Sequence, residues 1–237
     1  MKNRVKWGIA GASILGAIYG GYCVGPSFYH KWFSKEALRK LPNPKDKEIA
    51  LTFDDGPDPL YTPRVLDVLH KNGVKASFFV IAKKAQQNPE LIKRMLEEGH
   101  EIGLHSYEHN NAWLAAPGYV KHDFAKSAAI LRDLGVECHY YRPPWGYVNL
   151  ETLKQVQTAG YQLVMWNVMA QDWKRNQTSR EIVKRLLERV NSGSIICLHD
   201  GGGAPGAPRR TIDALESALP LFQKIGYRFV LLKERQI

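Results

Sequence analysis

Cysteine is scarce: three residues in 237, too few to staple a small domain with disulfides. Cys138 and Cys197 each sit in an apolar strand-like run, where a small buried thiol is the expected role. Cys23 falls in an uncharged N-terminal stretch. Acidic side chains are also in the minority, 23 Asp and Glu against 33 Lys and Arg, for a formal net charge of +10. That surplus suits an anionic partner. The basic residues form no stripe interleaved with aromatics, however, and no helix-turn-helix or zinc-finger spacing occurs, which argues against nucleic acid. With 44% hydrophobic and 24% charged residues, the chain is not of the disordered class, and its length suits one α/β domain.

The longest stretch without charge lies at the N-terminus. Lys2, Arg4 and Lys6 precede an uncharged stretch from Trp7 to Tyr29, after which come His30, Lys31 and Lys35. A basic flank before roughly twenty uncharged residues reads as a signal anchor or signal peptide. No small-x-small cleavage site stands out, which favours an uncleaved anchor over residues 1–29. The positive-inside rule then places the remainder outside the cytoplasm, at the cell membrane, or secreted if the segment is cleaved. Residues 30–47 turn polar, with Pro42 and Pro44, and read as a spacer. The catalytic domain is expected over 48–237.

Within that domain a helix–glycine–strand unit repeats. Gly73, Gly99, Gly135, Gly160, Gly193 and Gly226 each close a helical pattern and precede an apolar run. Those runs are Ala76–Ile81, Glu101–Leu104, Cys138–Tyr141, Tyr161–Val168, Ser194–Leu198 and Arg228–Leu232, with Glu48–Phe53 before them all. Thr62-Pro63 and Asn88-Pro89 are helix starts, and Ser179 and Thr211 are candidate caps. Seven strands alternating with six helices require a parallel sheet with right-handed crossovers. Polar residues of catalytic type follow most of the strands; an open sheet would concentrate them at one switch point, whereas a barrel rim gathers all of them. The expectation is a (β/α) barrel of about seven parallel strands, TIM-like but distorted and incompletely closed.

The rim residues divide by chemistry. His105 and His109, with one carboxylate of the Asp54-Asp55 pair, make three ligands that leave a coordination position open, the pattern of a catalytic metal site. The other carboxylate stays free as a general base. Arg142, ahead of Pro143-Pro144-Trp145-Gly146, is placed to hold a carboxylate while a backbone N–H of its loop faces substrate. Asp172 can pair with His199 and keep it protonated near neutral pH.

Five ordered segments, Thr52–Gly56, His105–His109, Arg142–Gly146, Asp172-Trp173 and Leu198–Asp200, resemble the motifs of the polysaccharide deacetylases. This is the NodB homology domain, carbohydrate esterase family four. The resemblance runs from about Lys47 to the C-terminus. It implies that Asp54 is the base, that Asp55, His105 and His109 hold a divalent metal, usually zinc and sometimes cobalt or manganese, and that Arg142 orients Asp54. It further implies that the Trp145 backbone N–H stabilises the oxyanion, that His199, tuned by Asp172, is the acid, and that Trp173 and Leu198 wall a pocket for the acetyl methyl group. Three positions depart from the family pattern: Asn110 where proline is usual, Trp145 for Tyr or Phe, and Met169 for Asp. None removes a group the reaction needs, so they bear on substrate preference.

The function implied is metal-dependent removal of N-acetyl groups from an amino-sugar polymer, with peptidoglycan, an N-acetylated glycan met first outside the cytoplasm, as the leading substrate. Chitin oligomers, an exopolysaccharide or O-acetyl esters are alternatives on the same site. An inactive glycan-binding pseudoenzyme is the alternative of another class.

Overall fold

The computed structural model describes residues 11 and 13–235. Nine short strands form it: β1 (Ala37–Leu38), β2 (Glu48–Asp54), β3 (Ser77–Val80), β4 (Glu101–Leu104), β5 (Tyr140–Tyr141), β6 (Gln162–Val164), β7 (Val168–Met169), β8 (Ile195–His199) and β9 (Arg228–Phe229). Every pairing between them is parallel, in the order β1-β6-β5-β4-β3-β2-β8-β7, with β9 added beside the start of β2. The sheet curls but β1 and β7 do not pair, so the barrel keeps an open seam. Crossovers are made by α2 (Thr62–Lys71), α3 (Ala82–Gln87), α4 (Pro89–Glu97), α5 (Pro117–Asp133), α6 (Leu150–Thr158), α7 (Ser179–Arg189) and α8 (Ala207–Lys224), with α1 (Gly25–Trp32) preceding the sheet.

Strand alternation sorts the side chains into two layers. In β2, Ile49, Leu51 and Phe53 join the large core under the helices, whereas Ala50 joins a smaller cluster with Phe79, Tyr140, Val164 and Ile195. β2 is buried along its whole length, as a central parallel strand must be. The same alternation sends Thr52 and Asp54 to the inner side.

The expected barrel of about seven strands is met in outline, and the differences have physical causes. The run read as one strand over Tyr161–Val168 breaks at Met165–Asn167. There the Met165 N–H donates to Leu38 O and the Asn167 side chain accepts the Ile195 N–H at 2.8 Å. The chain thus passes from the β1 edge to the β8 edge. α3 is added between β3 and α4, and Asn88, expected to cap α4, donates its side-chain amide to Lys84 O at the end of α3. The cap of α7 is Thr178, one residue before Ser179, in a reciprocal capping box with Glu181. α8 begins four residues before Thr211, at Ala207-Pro208.

The segment expected as anchor and spacer is more closely tied to the domain than its composition suggests. Residues 30–47 supply β1, which extends the sheet beside β6. In α1, Ser27 is buried: its Oγ donates to Val148 O at 2.6 Å and accepts from the Val148 N–H at 2.9 Å and Trp113 Nε1–H at 2.7 Å. Among the described residues no helix is long and apolar enough to cross a membrane; residues 1–10 and Ala12 of the expected anchor lie outside them. Ser27→Ala leaves the Val148 carbonyl and two N–H donors unpartnered, and thermal unfolding should show a loss of about 2 kcal/mol. An unchanged melting temperature would mean that α1 is not docked in solution.

Candidate active site

The C-terminal ends of the strands converge on a cavity of about 660 Å³. Asp54 ends β2 and lies in register with His199, which ends β8. His105 follows β4 and Arg142 follows β5. Asp54, Asp55, His105, His109, Trp145, Trp173 and His199 all line the cavity, while Arg142 and Asp172 stand behind it, fully buried.

Asp55, His105 and His109 bring their ligand atoms within 4.8 Å of one another. Asp55 Oδ1 faces His105 Nε2 at 3.4 Å and His109 Nε2 at 3.1 Å, yet it is buried with no hydrogen bond of its own. His105 Nδ1 meets the Arg142 carbonyl oxygen at 2.7 Å. A carbonyl only accepts, so Nδ1 carries a proton and Nε2 is the ring atom turned toward Asp55. Burial acts to raise the Asp55 pKa, but the two imidazoles outweigh it and hold the carboxyl well below the usual range. An ionised carboxylate, an imidazole of fixed orientation and a second imidazole fit a divalent cation and leave a position open. Asp54, Cys197 and His199 also lie within 4.8 Å, but the Asp54 oxygens and the Cys197 thiol are already engaged, as follows.

Asp54 Oδ1 accepts from Arg142 Nη1 at 2.6 Å, and its Oδ2 accepts from the Cys197 thiol at 3.3 Å. Burial, and next the Asp54 charge, push the Cys197 pKa up, so the thiol keeps the proton it donates. Arg142 also donates to Thr52 Oγ1 at 2.7 Å and to the Met165 carbonyl at 3.0 Å, and its guanidinium lies 4.0 Å from the Phe79 ring centre. His199 Nδ1–H donates to Asp172 Oδ1 at 3.0 Å, and the His199 N–H donates to Oδ2 at 2.8 Å. Burial lowers the His199 pKa, but Asp172 overrides it, aided by Asp55 and Asp54, and lifts it to about 9. The ring is an imidazolium at neutral pH.

Two hydroxyls read from sequence as helix signals serve these carboxylates instead. Thr211 Oγ1 donates to Asp172 Oδ2 at 2.9 Å, and Thr62 Oγ1 donates to Asp200 Oδ2 at 2.5 Å. Asp200 packs under Gly56, where any Cβ would fall 2.1 Å from its Oδ2. Asp55, His109 and Trp145 adopt left-handed backbone conformations, a strain typical of functional loops. Trp145 sets its ring 4.2 Å from that of His109. Asn110 donates its side-chain amide to the Tyr119 hydroxyl, and Met169 lines the cavity.

Leu198 requires a correction. It is fully buried in the core under the helices and does not line the cavity. It lies between Cys197 and His199, so alternation along β8 turns it to the opposite face. Cys197 takes the inner place, which the same period of two makes legible. Lys84, whose Nζ donates to the Asp55 carbonyl at 2.7 Å, and Lys31, reaching in from α1, had no signal in the motifs. The three cysteines are free thiols.

Residues 42–164 match the family model described as polysaccharide deacetylase. A peptidoglycan-N-acetylglucosamine deacetylase of Bacillus cereus is 39% identical over 211 residues, 88% of this chain and 93% of the relative. A peptidoglycan-N-acetylmuramic acid deacetylase of Bacillus subtilis is 35% identical over 193 residues, 80% of this chain and 71% of the relative. The crystal structure of a peptidoglycan N-acetylglucosamine deacetylase in complex with a naphthalenyl N-oxidanyl-benzamide superposes with a TM-score of 0.78 at 32% identity, covering 84% of this chain and 92% of that one. With a cavity whose rim carries this set of groups, the chain belongs to the polysaccharide deacetylase family of hydrolases.

Proposed function

We propose that this protein removes the acetyl group from N-acetylated amino sugars of peptidoglycan, using one divalent cation, with zinc as the first choice over cobalt or manganese. The observation that carries the reading is the grouping of Asp55, His105 and His109 beside an Arg142-held Asp54 and an Asp172-held His199 on one cavity wall. Relatives named for peptidoglycan support the substrate.

An amide is hydrolysed only if water is made nucleophilic, the oxyanion is stabilised and the leaving nitrogen is protonated. A divalent cation would be held by Asp55, His105 and His109 and would supply Lewis-acid polarisation of the amide carbonyl and of water. Asp54 accepts the proton of the attacking water, and the buried Arg142 keeps that carboxylate aimed. The backbone N–H of Trp145 donates to the oxygen that becomes negative; one such donor contributes about 3 kcal/mol. As the C–N bond breaks, His199 gives its Nε2 proton to the departing amine, while Asp172 retains the proton on Nδ1. Trp173 walls the acetyl methyl group. The products are acetate and a free amino sugar.

The extracytoplasmic location, with residues 1–29 as a membrane anchor, is supported by the basic flank Lys2, Arg4 and Lys6 and the uncharged stretch after it. Protease added to intact cells should cut the chain after Ser34; complete protection would overturn the orientation.

Asp54→Asn should abolish acetate release from peptidoglycan fragments and keep about one equivalent of bound cation per chain. His105→Ala and Asp55→Ala should lose the cation, and unchanged metal content in both would refute the ligand set.

His199 binds its proton more tightly folded than unfolded. Its contribution to stability is therefore fully present below about 6.5 and is lost as pH rises through about 9. Activity should fall over the same upper window as the acid loses its proton. Asp172→Asn should move that limb of the pH–rate profile downward; a limb that stays in place would show that His199 is not the acid.

A further inference from the structure

The open seam of the barrel holds a second cavity of about 400 Å³. Its wall runs from Lys31 and Trp32 at the end of α1, through Arg39 and Lys40 just past β1, to Asn167, Met169 and Arg189 beside β7. Lys31, Trp166 and Met169 line both this cavity and the catalytic one, so the two adjoin, with Trp166 in the wall of each.

The chemistry of this wall is one-sided. It carries four cations, Lys31, Arg39, Lys40 and Arg189, and no carboxylate. Among the described residues none of the four is in an ion pair. Arg39 Nη1 donates to the His30 carbonyl at 3.1 Å and Arg189 Nη1 to the Met169 carbonyl at 3.4 Å, and the Lys31 ammonium lies 5.9 Å from the Trp32 ring centre. Each therefore retains N–H donors for a ligand. Trp32 is 61% exposed and, with Trp166, offers an apolar face against which a sugar ring can pack.

We propose that this seam is a subsite for a carboxylate carried by the glycan, on the muramic acid residue next to the sugar being deacetylated. The proposal rests on the peptidoglycan reading above. Peptidoglycan carries such carboxylates at alternate sugars, on the lactyl ether or on the peptide attached to it, whereas an N-acetylglucosamine homopolymer carries none. Four cations beside an aromatic wall, adjoining the catalytic cavity, discriminate between the two by charge. The discrimination should weaken as salt screens it.

The test is equilibrium binding by calorimetry of the cation-loaded protein to three probes. These are a peptidoglycan oligomer freed of its peptides so that its lactyl carboxylates are exposed, the same oligomer with those carboxyls converted to methylamides, and an N-acetylglucosamine oligomer of equal length. K40Q/R189Q should bind the carboxylate oligomer about tenfold more weakly than wild type, as expected for two solvent-screened charge contacts, and bind the other two probes unchanged. K93Q/R132Q, which removes the same charge from residues lining neither cavity, should match wild type on all three. Equal affinity of wild type for the carboxylate and methylamide oligomers, or equal loss in both double variants, overturns the subsite. Acetate release from the N-acetylglucosamine oligomer, followed separately, reports on the deacetylase reading and is untouched by either outcome.

Discussion

Arg142 is the constraint on which the rest of the site depends. Its guanidinium is fully buried inside the barrel, where a charge is tolerated only with partners. Those partners lie on three segments: Asp54 and Thr52 on β2, Met165 at the break after β6, and the Phe79 ring on β3. The carbonyl of the same residue accepts from His105 Nδ1. One residue thus aims Asp54, the proposed base, with its side chain and orients His105, a proposed metal ligand, with its backbone. The planar fork of arginine makes several directed contacts from one charge, which a lysine ammonium does not reproduce.

Around that centre, charge is distributed so that each ionisable group sets its neighbour's state. Asp54 accepts a hydrogen bond from Arg142, and two imidazoles hold the Asp55 carboxyl well below the usual range. His199 is held protonated by Asp172. Asp54 and His199, the proposed base and acid, face each other in register across adjacent strands β2 and β8, which puts their separation under the control of the sheet and not of a loop. The proposed metal ligands Asp55 and His109 and the loop residue Trp145 accept left-handed backbone angles of 73°, 61° and 55° to reach their places. Strain of that kind persists only where the surroundings fix it.

Much of this was legible because it is local. Strand-end acids and imidazoles, the Asp-Asp-Gly turn and the His-x-x-x-His spacing are short patterns, and the parallel alternation follows from glycine punctuation. What escaped depends on contacts distant in sequence. β1 is two residues long and carries no pattern; only its pairing with β6 makes it a strand. Thr62 and Thr211 look like caps because helix starts favour threonine, yet their hydroxyls bind Asp200 and Asp172, 138 and 39 residues away. Leu198 was misplaced for a different reason: motif resemblance overrode the period of two, which by itself puts Cys197 beside His199 on the inner face.

The claim beneath all of this is that Asp55, His105 and His109 share one cation while Asp54 stays outside its coordination shell, held by Arg142. An anomalous difference map from crystals equilibrated with one equivalent of zinc tests it directly. The account predicts a single strong peak bounded by those three side chains, with the Arg142–Asp54 pair intact. A peak bounded instead by Asp54, Cys197 and His199 would contradict it.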